Sequence, residues 1–462
     1  MKKEDKLLKR TAIYAVGNIG SKVLSALIVP LYTYFITTAE MGTYDLIVTS
    51  LSLACPAIVF AIYEGVYRWL LQDTNNAEEL IKSGFHITIR NIVIAAVLFS
   101  IVSLFVKIPY FWLILLLCIA ECIYQYVHMV VRGLQKTVRY AVGGLVYSIV
   151  MLTCNVLLVC VYKLGIQGLL ISLIASNIGS SVYELLGRKE IISVIRSKRE
   201  LSVEREMLRY SIVLVPNAVI WWLIFSSDKY LIAVFLGVAA NGIYAISQKF
   251  PSLLSMCTTL FYTAWQDQAI EEYTSKERDA YYSKIFNMYY RLLLCAVLCL
   301  IPITKYYILW TMDEAYHEAY LYVSILYVGG VFQAFAAFYG TGYTSSKDSK
   351  GAMTTTIMGA IVNVIFNVAL IRSIGIHAAS ISTFIAFFTV WIVRVFRTRK
   401  YFSISFDKMP FILLSAGCIL YSFLVAYTDL AIDCVLFLIC CLVALYVNRE
   451  MFKQLLKRLQ PL

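Results

Sequence analysis

Charge is scarce in this chain: 40 Lys and Arg and 28 Asp and Glu make up 15% of 462 residues, too little to cover the surface of a soluble globular domain. Histidine is scarcer still, with His86, His128, His317 and His377 far apart in sequence. The twelve cysteines show regular spacing only at Cys118/Cys122 and Cys295/Cys299, without the neighbouring His or second thiol pair of a metal site. No metal or cofactor is expected. The cysteines read as small core hydrophobes and the histidines as interface or cavity-lining side chains. Polar segments are short, and none is long enough to fold as a domain outside a membrane. A cleavage site is missing too. The apolar run after the basic Met1–Arg10 segment is too long for a signal peptide, so it is expected to be a retained first helix.

What the chain has instead is apolar residues, 60% of the total, with aromatics at 14%. Runs of helix length fall at 11–36, 43–67, 85–106, 110–132, 140–162, 166–187, 209–227, 231–265, 283–304, 320–342, 353–372, 375–396, 409–427 and 431–447. The expected fold is an all-α polytopic membrane protein of about 14 transmembrane helices. The run 231–265 exceeds one span, so an outer turn is expected around Gly237 to Gly242. Aromatic clusters such as Tyr32, Tyr34 and Phe35, or Tyr306, Tyr307 and Trp310, fit the water–lipid interface.

With the N-terminus in the cytoplasm, thirty-one Lys and Arg fall inside, and Lys107, Lys163, Lys229, Lys305 and Arg372 fall outside. The positive-inside rule then places both termini in the cytoplasm. This asymmetry accounts for the +12 net charge without nucleic acid as a partner. The expected organisation is an N-terminal six-helix lobe (1–187), a basic amphipathic linker lying on anionic membrane lipids (188–208), a C-terminal six-helix lobe (209–400), and two extra helices with a basic tail (401–462).

The two halves repeat small motifs. Met41-Gly42-Thr43-Tyr44 after the first helix corresponds to Asn241-Gly242-Ile243-Tyr244 after the seventh. Asn155 with Gly165-Ile166-Gln167-Gly168 corresponds to Asn363 and Asn367 with Gly375-Ile376-His377-Ala378. Both members of each pair fall on the same side, which implies parallel lobes around a central cavity. Asn18, Ser21, Lys22 and Ser25 share one face of the first helix, Asp45, Thr49 and Ser52 one face of the second, and Gln248, Ser252, Ser255 and Thr259 one face of the eighth. Interhelical packing accounts for the neutral residues as well as a cavity does. It does not account for Lys22, whose ammonium falls near the bilayer midplane and calls for water or a bound anion. Pro30, Pro56, Pro216, Pro251 and Pro302 interrupt helices and permit bends.

Glu40-Met41-Gly42-Thr43-Tyr44, Asp228-Lys229-Tyr230, Gly242-Ile243-Tyr244 and the Asn363-x-x-x-Asn367 to Gly375 stretch, in this order, resemble the Wzx-type oligosaccharide flippases of the multidrug/oligosaccharidyl-lipid/polysaccharide (MOP) superfamily. The resemblance spans the first twelve helices. It implies translocation of undecaprenyl-diphosphate-linked oligosaccharide to the outer leaflet of a bacterial cytoplasmic membrane, with other polysaccharide-assembly membrane proteins as possible partners. Ser21-Lys22-Val23-Leu24 is similar to the Ser-Arg-Val-Leu stretch of related lipid II flippases. Their second helix-1 arginine has no counterpart, since Ile28 stands there, which weighs against a peptidoglycan precursor.

For a lipid-diphosphate cargo, Lys22, Arg90 and Arg291 are candidate phosphate partners, with Lys249 and Arg68 as late and early contacts. Snorkelling to the interface explains Arg90, Arg68 and Lys249 equally well, and competes evenly for Arg291. Glu121, near mid-depth, and Glu64 are candidates for a coupling site or an ion pair, and Glu184 reads as the partner of a same-lobe cation. A cation-coupled drug exporter of the same superfamily is the nearest rival; its cavity would be acidic and aromatic. A major-facilitator transporter lacks support, because the segment Arg68–Gly84 has no Gly-rich Asp-Arg loop. A polysaccharide polymerase or ligase would need a long outer loop for acid–base chemistry, and Thr304–Ala319 is short. No catalytic residues are expected.

Overall fold

The computed structural model describes residues 29–72, 76–186 and 201–449. Every regular element among them is helical, and ten helices are long and apolar enough to cross a membrane. The chain is a multi-pass membrane protein of all-α fold. Side chains that would be liabilities in water cover its outside: Leu104, Phe105, Trp112, Val234 and Tyr427 are each more than 75% exposed. Lipid is their solvent.

The chain divides into two compact units, Met1–Ser226 and Ser227–Leu462. The first holds α1 (Val29–Thr33), α2 (Thr38–Ile58), α3 (Ile62–Gln72), α4 (Ala77–Phe105), α5 (Phe111–Gly133), α6 (Thr137–Asn155), α7 (Gly165–Leu185) and α8 (Leu201–Ile212). Residues 187–200, most of the expected linker, lie outside the described residues, and so do residues 11–28 of the expected first helix. The remainder of the linker is helical from Leu201, eight residues before the expected seventh span.

The run expected as one second span is two helices. Pro56 has no N–H to give, and Phe60 and Ala61 both take left-handed backbone angles (φ 52° and 50°), which ends α2 and redirects the chain into α3. Ala61 N–H donates to Pro56 O at 2.7 Å across the break. The freed Ile58 carbonyl is capped from α4 by Asn91 Nδ2 at 3.0 Å.

Where α2 begins, Thr37 and Glu40 form a reciprocal capping box. Glu40 also reaches α7, accepting from the Ile166 N–H at 3.3 Å, and Gly165 (φ +58°) lies so close that a Cβ there would collide with Glu40 Oε1. Two motifs of the first half, Glu40–Tyr44 and Gly165–Gly168, are therefore one joint.

The second unit is built from α9 (Leu214–Leu236), α10 (Val238–Glu271), α11 (Arg278–Thr311), α12 (Ala319–Ser345), α13 (Ser349–Ile374), α14 (His377–Arg397), α15 (Lys408–Leu424) and α16 (Leu430–Val447), with the start of α9 falling in the first. The turn expected around Gly237 to Gly242 is shorter: Gly237 alone joins α9 to α10, at φ 93° and ψ 163°, a conformation essentially confined to glycine. In this unit too the repeated motifs meet, since Tyr244 packs in one cluster with Ile376, Ala378 and Ala379.

Apolar on all sides, α12 is buried along most of its length. Phe332, Phe335 and Phe338 pack with Phe286 of α11 and Trp391 of α14 in edge-to-face and tilted pairs, and Trp265 of α10 stacks on Phe338 at 4.1 Å. Arg394 of α14 ties three helices by donating to Ala336 O at 2.7 Å, Thr355 Oγ1 at 3.1 Å and Thr356 Oγ1 at 3.2 Å. The last two helices are pinned by charge. Lys305 of α11 and Asp433 of α16, 5% and 1% exposed, meet at 2.7 Å, and the Tyr306 and Tyr421 hydroxyls each donate to Asp433 at 2.9 Å. Lys305, expected on the outer side of the membrane, is buried in the protein as one half of this pair.

Candidate functional site

Polar side chains in each unit converge on a buried carboxylate. In the first unit Glu121, Gln125 and His128 follow i, i+4, i+7 on α5, and Asn177, Ser181 and Glu184 follow the same spacing on α7. Facing stripes give two rungs, two turns apart. In one, Glu121 accepts from Asn177 Nδ2 at 2.9 Å and from Gln125 Nε2 at 2.8 Å. In the other, His128 Nδ1 and Glu184 Oε1 are 2.6 Å apart, with Glu184 fully buried. Glu184 fits because residue 143 on α6 is glycine; a Cβ there would overlap its carboxylate.

The His128 ring is stacked between Tyr124 at 5.1 Å and Tyr140 at 3.9 Å, and Tyr124 stacks in turn on Tyr147 at 5.2 Å. Arg132, over the rings of Tyr67 and Tyr140, ends this column. Against the column lies a cavity of about 470 Å³, lined by Glu64, Glu121, Gln125 and His128 as well as Ser52 and Tyr63. Chemically it offers the imidazole of His128, which is paired with the buried Glu184 behind it, a carboxylate held by two amides, and aromatic walls.

In the second unit the buried carboxylate is Asp228 of α9. It accepts from Asn367 Nδ2 on α13 and Thr383 Oγ1 on α14, both at 2.8 Å, and from the Tyr244 hydroxyl on α10 at 3.3 Å; Asn363 Nδ2 donates to Thr383 Oγ1 at 3.3 Å. Three separate sequence motifs, at Asp228, Tyr244 and Asn363/Asn367, are therefore parts of one hydrogen-bonded knot.

The expected site residues separate into groups. Glu64 and Glu121 share the first-unit cavity. Arg90 and Arg68 do not line it: Arg90 Nε donates to Asn91 Oδ1 at 3.2 Å, behind the cap on the α2 break, and Arg68 lies over the Tyr210 ring at 4.5 Å, both side chains being exposed. Arg291 is paired with Asp407 at the start of α15. Lys249 is half-buried, and its carbonyl accepts from the exposed Ser252 hydroxyl at 2.6 Å. Lys22, Asn18, Ser21 and Ser25 lie outside the described residues. The pairing of His128 with Glu184 was not anticipated; its i+7 spacing from Glu121, opposite the matching stripe on α7, was the available signal.

An all-helical membrane protein with these two units has the fold of the MOP-superfamily flippases and transporters. It is similar to lipid II flippase MurJ in an inward closed conformation, at 14% identity over 96% of this chain and 100% of that chain, with a TM-score of 0.72. It is also similar to an inward-facing multidrug resistance MATE family transporter (12% identity, 84% and 94% covered, TM-score 0.63) and to a MOP superfamily transporter from Pyrococcus furiosus (14% identity, 85% and 95% covered, TM-score 0.59). No protein-family model and no curated protein matches the sequence.

Proposed function

We propose that this protein is a MOP-superfamily flippase that carries undecaprenyl-diphosphate-linked oligosaccharide from the cytoplasmic to the outer leaflet of a bacterial cytoplasmic membrane, for surface polysaccharide synthesis. The observation that carries the reading is Lys22. A full cation that the sequence pattern puts near mid-membrane depth, in a Ser-Lys-Val-Leu stretch like that of lipid II flippases, suits a diphosphate headgroup. The fold shared with MurJ supports it, as does the convergence of the oligosaccharide-flippase motifs on Asp228. The isoleucine at position 28 favours an oligosaccharide carrier over a peptidoglycan precursor. In this scheme the cargo is bound and moved without bond breaking, and the His128–Glu184 pair with Glu121 takes up and releases a coupling proton.

A second reading draws on the first-unit cavity. Two carboxylates and an aromatic lining are what a cationic drug would meet in an exporter of the same fold.

The test is a strain deleted for the gene, complemented with wild-type or Lys22→Ala protein and assayed with an outer-face probe of lipid-linked oligosaccharide. Intact oligosaccharide held on the cytoplasmic face, released by wild type and by Lys22→Arg but not by Lys22→Ala at equal protein level, is the expected result. Normal outer-face appearance with altered drug susceptibility would replace the flippase reading with the exporter one.

A further inference from the structure

We propose that Cys55, Cys118 and Cys122 form a binding site for a soft univalent metal ion, Cu(I), behind the wall of the first-unit cavity. Cys118 and Cys122 stand one turn apart on α5, and Cys55 comes from the last turn of α2, sixty-three positions from Cys118 in sequence. The three sulfurs all lie within 4.8 Å of one another. Cys55 and Cys122 are buried at 0% and 1% exposure, and Cys118 is partly open. Bringing three thiols to one point from two helices goes beyond what core packing of a small hydrophobe requires.

The donor set selects the metal. Three sulfurs with no nitrogen ligand among them suit a d¹⁰ univalent ion, which accepts three thiolate or thiol ligands, better than Zn(II), whose structural sites take four. Among the described residues no carboxylate or imidazole joins the three sulfurs as a fourth ligand, and Glu121, adjacent in sequence to Cys122, accepts instead from Gln125 and Asn177. Pro56, Leu117 and Glu121, which adjoin the three cysteines in sequence, line the cavity, so the cluster lies close behind its wall. On binding, two thiols ionise and release their protons, the third binds as thiol or thiolate, and no electron is transferred. The ion would fasten the end of α2, one turn before the Phe60–Ala61 break, to α5. The site is independent of the cargo.

The experiment uses the reduced full-length protein in nanodiscs, titrated without oxygen with Cu(I) as its acetonitrile complex and with Ag(I) as a redox-inert probe. Bound metal is counted by native mass spectrometry and its ligands by X-ray absorption. The expected result is one ion with a three-sulfur shell that Cys55→Ser and Cys122→Ser each lose. A variant with serine at Cys295, Cys299, Cys418, Cys440 and Cys441 should retain the ion, which keeps the test decisive even where a cluster variant does not fold. A two-sulfur shell, retention by a folded Cys55→Ser protein, or loss on replacing those five of the seven second-unit cysteines would each overturn the site.

Discussion

Glu184 and Gly143 occupy one space: the carboxylate that pairs with His128 stands where any side chain at position 143 would project, and Ser180 Oγ donates to the Gly143 carbonyl at 2.9 Å. Gly143→Ala should therefore push Glu184 off its histidine. The expected outcome is loss of transport together with about 1–3 kcal/mol of destabilisation, the usual range for overpacking a closed core. Thermal unfolding in detergent and a transport assay check the two parts separately, and Gly144→Ala, where a Cβ meets nothing within 4 Å, is the control.

Lys305 and Asp433 are buried together, so removing one leaves the other charged and unpaired. Lys305→Met should cost about 3–5 kcal/mol, and Lys305→Met with Asp433→Leu should recover most of it. Chemical or thermal unfolding of the single and double variants reads the difference. Recovery in the double variant separates an electrostatic strut from simple packing.

At Asp228 the four helices are joined by neutral donors. Asp228→Ala strands the Asn367 amide and the Thr383 hydroxyl and is expected to destabilise by about 1–3 kcal/mol for each donor left unsatisfied. Asp228→Asn, which retains an acceptor oxygen, should lose less. Thermal unfolding of the two variants checks the order.

The spans were legible in the sequence because lipid demands long apolar runs, and the runs at 110–132, 166–187 and 375–396 correspond closely to α5, α7 and α14. The break at Phe60 and Ala61 was not, since neither residue type announces a left-handed backbone; Pro56 alone hinted at it. Long-range partners were the other blind spot. That Arg291 finds Asp407 and Lys305 finds Asp433 depends on helices more than a hundred residues apart, and that Cys55 joins Cys118 and Cys122 depends on where α2 stops. The facing stripes of α5 and α7 were readable, but one polar stripe gains meaning only when its neighbour is known.

Outside the membrane spans, Asp348 caps α13 by accepting from the Gly351 N–H at 2.9 Å and also from the Tyr401 hydroxyl at 2.6 Å, with Lys400 at 3.5 Å. The Tyr401 bond, then the Gly351 bond and the Lys400 charge, hold its pKa below the ordinary 3.8. A depressed carboxylate pKa means stabilisation that is fully present above about pH 3.8 and lost as pH falls through the lower folded-state value. Asp348→Asn should flatten this part of the acid limb of a stability–pH curve by lowering the plateau above about pH 3.8, and only a little, because solvent screens this half-buried group.

Gly237 sets a practical boundary on probing this molecule. A one-residue joint between two long helices has no slack: a reporter tag or protease site inserted there must either break the helix ends or drag them apart. The turn at Glu272–Glu277, where α10 gives way to a single 3₁₀ turn before α11, exposes Thr274, Lys276 and Glu277 and has room for an insertion. Sidedness in the second unit is best read from that turn.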